Sequence, residues 1–167
     1  MKFTKRLIKG KLIKRYKRFF ADINLNKEII TAHCPNTGSM MGLLNTNNDV
    51  WISKNNNPKR KLKFTLEIIK VKNNLVGVNT HLANKIVYHA LSNNLINELN
   101  YNQNIKAEVF FNKKTRFDFL IEKNNQKNFV EVKNVTLCRK DKISEFPDAV
   151  TSRGSKHLKT LIDAIKK

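Results

Sequence analysis

The sequence is short of acidic residues. Its 167 residues include 13 Asp and Glu against 33 Lys and Arg, which gives a formal net charge of +20. A charge of this size repels itself within a compact chain, so it is typical of proteins that bind a polyanion. An AT-rich coding bias explains an excess of Lys over Arg, but it does not explain the scarcity of acids. The composition therefore indicates nucleic acid as the first candidate partner and an anionic membrane surface as the second.

Cysteines and long apolar runs are also scarce. The two cysteines, Cys34 and Cys138, lie more than a hundred residues apart and outside any Cys-x-x-Cys. This spacing argues against a zinc site or a disulfide framework and fits a reducing cytoplasm. No apolar run approaches the ~20 residues needed to span a bilayer. Charged residues every two or three positions argue against a signal-peptide core at the N-terminus. We therefore predict a cytoplasmic protein.

The N-terminal stretch is the most basic part of the chain. As a helix it would align Ile8, Leu12, Tyr16 and Phe19 into an apolar stripe, which suits a membrane surface. As strands it would set aromatic rings among cations, which suits single-stranded nucleic acid, or it would form a solvated basic face over a core. Gly10 and the aromatic residues favour strands, so we predict no membrane partner. Residues 2–18 contain nine basic residues: Lys2, Lys5, Arg6, Lys9, Lys11, Lys14, Arg15, Lys17 and Arg18.

Short β-favouring segments follow, separated by clusters of Asn, Gly and Pro. They span about 19–25, 28–34, 49–53, 62–71 and 74–79. Short strands divided by turn residues at this spacing predict a small antiparallel barrel of the OB type, a common platform for nucleic acid.

A helix is predicted next, with Thr80 as its N-cap, a bend near residues 92–94 and a continuation through Leu99. His81 and His89 could share one side of it, but no further ligand is visible, so we interpret them as surface residues. A strand over residues 105–111 follows. Glu108 on that strand is a candidate third carboxylate for the site described next, and Glu98 is a weaker one.

The segments 116–121 and 129–135 predict a hairpin that carries two carboxylates and a lysine. Asp118 is followed after twelve residues by Glu131-x-Lys133. Strand alternation sets Glu131 and Lys133 on one face, and antiparallel pairing brings Asp118 to it. Carboxylates and an ammonium are what a divalent-metal hydrolysis site requires. The pattern resembles the PD-(D/E)XK nuclease superfamily, with Phe117 where that superfamily usually has Pro. The alternative is a hairpin with solvated charges.

A last helix is predicted from about residue 153. Its apolar residues recur at i, i+3, i+4 and i+7, at Leu158, Leu161, Ile162 and Ile165. Arg153, Lys156 and His157 fall in its first turn, where cations oppose the helix dipole. Either they hold a phosphate at the helix N-terminus or they follow from the overall basicity. The nuclease-like fold continues into a further strand, so we expect the chain to be C-terminally truncated or a fragment.

Four segments together resemble the sugar fermentation stimulation protein A family of bacteria and archaea. They are Arg15-Tyr16-Lys17-Arg18-Phe19, His33-Cys34-Pro35-Asn36-Thr37-Gly38, Phe146-Pro147-Asp148-Ala149 and Arg153-Gly154-x-Lys156-His157-Leu158. They occur in the family's order over nearly the whole chain. The resemblance implies an N-terminal OB-like barrel, a C-terminal nuclease-like domain, DNA binding and a link to the regulation of sugar utilisation.

Residues and resemblance together predict an α+β protein with a basic OB-like barrel over 1–79 and a PD-(D/E)XK nuclease-like α/β domain over 80–167. Asp118, Glu131 and Lys133 are the predicted catalytic residues. Asp118, Glu131 and Glu108 are the predicted ligands of Mg²⁺ or Mn²⁺. The predicted partner is nucleic acid, DNA ahead of RNA, and the alternative is a non-catalytic DNA-binding regulator of sugar metabolism genes. The predicted nucleic-acid contacts are Arg15, Tyr16, Lys17, Arg18, Arg153, Lys156 and His157. Five family-motif residues have no assigned role: His33, Asn36, Thr37, Gly38 and Asp148.

Overall fold

Strands dominate the structure, a computed structural model that describes residues 1–99, 104–113, 115–123, 126–140, 142–146 and 152–165. The strands of this part of the chain are β1 (Ile8–Tyr16), β2 (Phe20–Leu25), β3 (Glu28–His33), β4 (Asp49–Lys54), β5 (Phe64–Val71), β6 (Asn74–Gly77), β7 (Asn104–Asn112), β8 (Thr115–Lys123) and β9 (Gln126–Val130). The helices are α1 (Ala83–Ser92) and α2 (Ser152–Ile165), and short 3₁₀ turns lie at Thr80–Leu82 and Asn97–Leu99.

The first six strands form the predicted OB-like barrel. Their hydrogen-bonded order is β3-β2-β1-β4-β5-β6, and a parallel pairing of Ala32 with Phe64 and of His33 with Thr65 joins β3 back to β5. Strands β1 to β5 therefore close into a barrel, and β6 adds to the far half of β5 as a hairpin partner. The α+β fold class is confirmed. Because residues 8–16 are a strand, the alternative of a helical membrane-binding segment there is wrong.

Alternating apolar side chains fill this barrel. Leu12, Ile23, Ile52 and Leu66 are fully buried, as are smaller residues on the neighbouring strands. Gly10 lies where two strands approach closely, and a β-carbon there would stand 2.6 Å from Ile23 Cγ2. The close approach explains why a glycine interrupts an otherwise β-favouring strand.

One position breaks the alternation. In the β4–β5 ladder Trp51 pairs with Ile68 and Ile52 pairs with Leu66, so Glu67 has no partner across the ladder. It is the extra residue of a β-bulge, and Thr65, Leu66 and Glu67 are buried in succession. A bulge turns a side chain that the regular period would direct elsewhere.

The predicted helix begins later than the sequence indicates. The backbone N–H of His81 donates to Asn79 Oδ1 at 3.1 Å, and Thr80 Oγ1 donates to the Pro35 carbonyl at 2.6 Å. The prediction of Thr80 as N-cap is therefore wrong. Its hydroxyl donates to a loop that is distant in sequence, and Asn79 caps the first turn by accepting the His81 N–H. The helix does not bend and continue as predicted, because α1 ends at Ser92 and only a short 3₁₀ turn at Asn97–Leu99 follows.

The remaining strands form an antiparallel sheet in the order β7-β8-β9. Leu91 of α1 packs with Phe119 and Ile121 of β8 in its core. The strands predicted at 105–111 and 116–121 are present, but β9 ends at Val130, so the prediction that this strand continues to residue 135 is wrong.

Helix α2 occupies the predicted position, and Thr160 Oγ1 lies 3.5 Å from Thr115 Oγ1 of β8. Its predicted apolar face is largely exposed, since Leu158, Ile162 and Ile165 are 65%, 53% and 87% accessible. None of the described helices is both long and apolar enough to cross a membrane.

The chain divides into two compact units. One comprises Met1–Leu82 and Asn134–Asp148, and the other comprises Ala83–Lys133 and Ala149–Lys167. The sequence did not predict that the segment after Lys133 belongs to the barrel unit. Asn134 illustrates the return, because its Nδ2 donates to the Gly77 carbonyl at 3.2 Å.

We expect Gly10→Ala to lower the free energy of unfolding by about 1–3 kcal/mol, because the added methyl overpacks a filled site. Besides Ile23, the methyl would meet Leu25 Cδ2 at 2.6 Å and the Asn24 carbonyl at 3.0 Å. Gly77→Ala is the matched control, since a methyl added there would have no neighbouring atom within 4 Å. Urea unfolding of both variants measures the difference, and equal stabilities would contradict the packing argument.

Candidate nuclease-like site and nucleic-acid surface

Asp118 on β8 is the most firmly held of the predicted site residues. Its Oδ1 accepts a hydrogen bond from Asn84 Nδ2 at 2.8 Å, and its Oδ2 accepts one from the backbone N–H of Val132 at 2.7 Å. The side chain is half-buried. Two donors from separate segments fix its rotamer, so Asp118 presents its carboxylate in a defined direction.

Three carboxylate-bearing residues lie near one another on neighbouring segments. Glu108 on β7 and Asp118 on β8 each fall between the paired positions Ala107–Phe119 and Val109–Phe117. Val130, the last residue of β9, pairs with Phe119, so Glu131 follows just beyond the last paired position. The Val132 N–H that donates to Asp118 keeps this segment beside β8. Glu108, Asp118 and Glu131 are here called the carboxylate row.

Glu131 and Lys133 lie just after the end of β9. Lys133 Nζ donates to Glu131 Oε1 at 2.8 Å, and the Glu131 side chain is 15% exposed against 48% for Lys133. The two groups therefore converge as strand alternation predicts, although the strand itself stops at Val130. The Val132 N–H that lies between them goes to the Asp118 carboxylate instead of to a strand.

Glu108 has an unusual backbone. Its φ is +57°, in the left-handed region, although it lies within β7 and is not a glycine. This conformation costs about 1–2 kcal/mol for an L-residue. Its side chain pairs with Arg116, whose Nε lies 2.8 Å from Glu108 Oε2, and Arg116 rests on the Phe110 ring. Strain of this kind clusters at functional sites and directs attention to the carboxylate row.

A cleft of about 410 Å³ opens beside Asp118. Glu108, Asn84, Lys85 and Tyr88 also line it, whereas Glu131 is not among its described lining residues. The sequence did not identify the three α1 residues, because a polar residue in an amphipathic helix carries no signal of what it faces. Among the described residues, no group of three His, Cys, Asp or Glu side chains is close enough to hold a metal ion without rearrangement.

In the barrel unit, Arg15 connects the family-motif segment 15–19 to the segment 33–38. Its Nη2 donates to the Arg18 carbonyl at 2.9 Å and to the Asn36 carbonyl at 2.8 Å. Asn36 is buried and its Oδ1 accepts the Gly38 N–H at 2.9 Å, which closes the turn around the exposed Thr37. Arg15 and Asn36 therefore hold the loops in place, a role that the sequence did not assign to them.

The β1–β2 turn presents exposed cations. Lys17 and Arg18 have φ of +46° and +62°, and both side chains are exposed. Tyr16 stacks on Phe20 with centroids 5.4 Å apart and donates to Asp22 Oδ1 at 3.2 Å. The Tyr16 side chain therefore contacts other barrel residues. Lys17 and Arg18 form no ion pair within the described residues.

Acids on the barrel offset part of the β1 charge. Lys9 and Lys11 lie 2.9 Å and 2.6 Å from the Asp49 carboxylate. Hydrogen bonds from Lys11 and then Lys9 lower the pKa of Asp49 to about 2. These two lysines are therefore partly neutralised at neutral pH, which leaves the cations of the β1–β2 turn as the better candidates for contact with a polyanion.

His33, the last residue of β3, is half-buried. Burial first, and then the nearby charges of Arg60 and His81, lower the pKa of His33 below its usual value of 6.5. His33 is therefore neutral at pH 7 and adds no charge to this surface. His81 and His89 belong to no described metal cluster. Asp148 and the side chains of Arg153, Lys156 and His157 lie outside the described residues.

Two family models match the chain. Residues 13–78 match the SfsA N-terminal OB domain, and residues 81–167 match the sugar fermentation stimulation protein RE domain. The first match ends at residue 78 and the second begins at residue 81, just after the end of β6 at Gly77.

Curated relatives are similar over the whole chain. A sugar fermentation stimulation protein homolog from Pelagibacter ubique (strain HTCC1062) is 74% identical over 167 residues, which is 100% of this chain and 72% of the relative. A homolog from Maricaulis maris (strain MCS10) is 45% identical over 99% of this chain and 72% of the relative.

The fold is similar to a solved structure, that of Pyrococcus furiosus SfsA in complex with Ca²⁺. The TM-score is 0.82 at 24% sequence identity, over 98% of this chain and 68% of that one. Family models, curated relatives and fold agree, and the chain belongs to the sugar fermentation stimulation protein family.

Proposed function

We propose that this protein binds nucleic acid through its basic barrel and hydrolyses phosphodiester bonds at a divalent-metal site built on the carboxylate row. The observation that carries the proposal is the hydrogen bond from the Val132 N–H, between Glu131 and Lys133, to the Asp118 carboxylate, beside a cleft that Glu108 also lines. An accidental D…ExK in a lysine-rich chain has no reason to bring its two halves together beside a third carboxylate. The substrate class is DNA ahead of RNA, a preference that rests on the family resemblance.

The residues of the row fit a hard divalent cation. Mg²⁺ and Mn²⁺ prefer oxygen ligands, and each carboxylate can accept about four hydrogen bonds or coordinate bonds. Asp118 uses one position on each oxygen for Asn84 and Val132, so positions for a metal remain. The complex of the Pyrococcus furiosus relative contains Ca²⁺, which favours the same donor atoms. When bound, the metal would polarise the phosphate and lower the pKa of an attacking water.

The surrounding residues orient the reactants. Asn84 and Val132 keep the Asp118 carboxylate in one rotamer, and Lys133 brings a positive charge beside Glu131. In the proposed reaction a water oxygen forms a bond to phosphorus while the bond from phosphorus to the leaving oxygen breaks. The proton lost by the water balances the one gained by the leaving oxygen, and the products are a phosphomonoester and a hydroxyl. Lys133 would stabilise the charge that develops on the phosphate.

A second function is favoured by one observation. Glu108 is paired with Arg116, and the described residues contain no ready three-ligand cluster. A non-catalytic DNA-binding regulator of sugar metabolism genes needs no such cluster. This candidate shares the basic barrel with the first and differs only at the carboxylate row.

A reducing cytoplasm is the proposed compartment. Cys34 is buried and Cys138 is exposed, and both thiols are free. Exposed free thiols are typical of proteins that function where thiols are kept reduced.

Replacing Glu131 tests catalysis. With purified protein, Mg²⁺ or Mn²⁺ and single- or double-stranded DNA and RNA, we expect metal-dependent cleavage that EDTA abolishes and that Glu131→Gln lowers at least about 100-fold. Glu122→Gln on the same sheet is the matched control, since its partner is Lys106, away from the row. Cleavage unchanged in Glu131→Gln would sink the nuclease proposal, and metal-independent binding without cleavage would favour the regulator.

Metal binding tests the role of Asp118 and its donor. Calorimetric titration with Mn²⁺ and Ca²⁺ should give binding that Asp118→Asn abolishes. Asn84→Ala should weaken it about 10–100-fold, as is typical when a residue that orients a ligand is lost. Asn93→Ala just after the end of α1 is the control, because the Asn93 Nδ2 donates to the His89 carbonyl and not to the row. If all three variants bind the metal ions with equal affinity, the carboxylate row is not the metal site.

The salt dependence of DNA affinity tests the barrel surface. Lys17→Asn with Arg18→Asn should lower the slope of log affinity against log salt by about 2, because each phosphate contact contributes about 1. Asn tolerates the positive φ at both positions. Lys27→Asn is the matched control, since Lys27 has φ +83° in the β2–β3 turn at the other end of β2. A wild-type affinity insensitive to salt would contradict nucleic-acid binding altogether.

A further inference from the structure

Glu67 is a buried acid that the proposed function does not use. It is 6% exposed, lies in the middle of β5, and is the extra residue of the β4–β5 bulge. Bulges next to binding sites commonly redirect one side chain, and this one turns a carboxylate out of the regular alternation. A charged side chain is kept in such a position only when it is hydrogen-bonded or paired.

Two neutral donors hold the Glu67 carboxylate. Ser53 Oγ donates to Oε1 at 2.6 Å, and Asn79 Nδ2 donates to Oε2 at 2.8 Å. Within the described residues no cation lies within ion-pair distance of it. Each oxygen keeps further capacity to accept, so the carboxylate presents two adjacent acceptors in a fixed plane.

Glu67 lines a cavity of about 270 Å³ in the barrel unit. Thr4, Ser53 and Asn55 are its other polar lining residues, Phe3 adds an aromatic residue, and Lys5 and Lys54 add two cations. The volume is slightly below that of typical ligand sites, which is about 300–1,000 Å³. It suits one small ligand.

The lining defines the chemistry of that ligand. Two side-by-side acceptors require two side-by-side N–H donors, and two lysines require an anionic group. The lysines and the net charge of +20 disfavour a polyamine or a basic peptide. An aromatic wall suits a planar ring, because base stacking on aromatic residues is favourable. Among nucleobases, guanine has two adjacent donors on one edge, N1–H and the 2-amino group, whereas adenine and uracil alternate donors with acceptors.

We propose that this cavity binds a guanine nucleotide. Glu67 accepts from N1–H and from the 2-amino group, Phe3 stacks on the base, and Lys5 and Lys54 contact the phosphate. The ligand chemistry is shared by a free nucleotide and by a guanine within a single strand. Assigning the strand as the source rests on the proposed nucleic-acid binding, whereas the cavity itself lies apart from the carboxylate row in sequence and belongs to the barrel unit.

Titration of the full chain with GMP, IMP and AMP, followed by NMR, tests the site. GMP should shift the amide signals of Ser53 and Glu67, and IMP, which lacks the 2-amino group, should bind about 10-fold more weakly. Glu67→Gln should remove the preference for GMP over AMP, since a glutamine amide offers one donor and one acceptor. Phe3→Ala should weaken both nucleotides about 5- to 100-fold and leave their ratio unchanged.

A purely structural Glu67 predicts a different result. If Glu67→Gln lowers the melting temperature but leaves the GMP-to-AMP ratio as in the wild type, the proposal is overturned. It is equally overturned if GMP shifts none of these amide signals in the folded wild-type protein. Phe3→Ala keeps the test valid should Glu67→Gln fail to fold.

A short oligothymidylate with one guanine, or with hypoxanthine in its place, separates the two sources. Discrimination between these strands assigns the site to a strand, and discrimination confined to the mononucleotides assigns it to free nucleotide. Salt-dependent binding of both strands without any discrimination overturns the cavity proposal and leaves the proposed function standing. If no strand binds but GMP still binds at the cavity, the proposed nucleic-acid binding is overturned and the cavity proposal stands.

Discussion

The two hydrogen bonds to Asp118 are the constraint on which the candidate site depends. Asn84 reaches it from α1 and Val132 from the segment after β9, so one carboxylate connects a helix, a central strand and a chain segment that has left the sheet. Charge-assisted bonds of this kind are short and directional. Because Val132 is fixed, its neighbours Glu131 and Lys133 are fixed too, and their convergence at 2.8 Å follows without a regular strand to hold them.

Several of these features could be predicted from the sequence. Asn and Gly clusters at regular spacing predict the barrel, and Asp118 and Glu131 lie equally far from the β8–β9 turn, so hairpin pairing opposes them. The rest depends on contacts distant in sequence. The bulge at Glu67, the positive φ of Glu108 and the hydrogen bond from Asn84 arise from packing between elements, and no local pattern encodes them. Basicity alone predicts Arg15 as a phosphate contact, yet its Nη2 donates to two carbonyls.

Acidic residues are few in this chain, so where they are placed is informative. Several of the described acids stand beside a lysine or arginine, as Asp49 does beside Lys9 and Lys11 and Glu145 beside Arg139. Such pairs offset the net charge of +20 and are weakly stabilising at an exposed surface. They reduce the self-repulsion of a chain this basic, and they assign no function to the acids involved.

Asp118 and Glu67 differ from these acids because neutral donors, and not cations, hold their carboxylates. Each is at least half-buried, each accepts from an Asn amide and one further neutral donor, and neither has a cation within ion-pair distance among the described residues. Lysines are abundant enough that a purely structural acid could readily have been paired. Neutral donors fix the direction of a carboxylate while leaving its charge uncompensated, which is the state required for binding a metal ion at one site and a pair of N–H donors at the other. The same physical arrangement therefore supports both proposals, although they lie in different units of the chain.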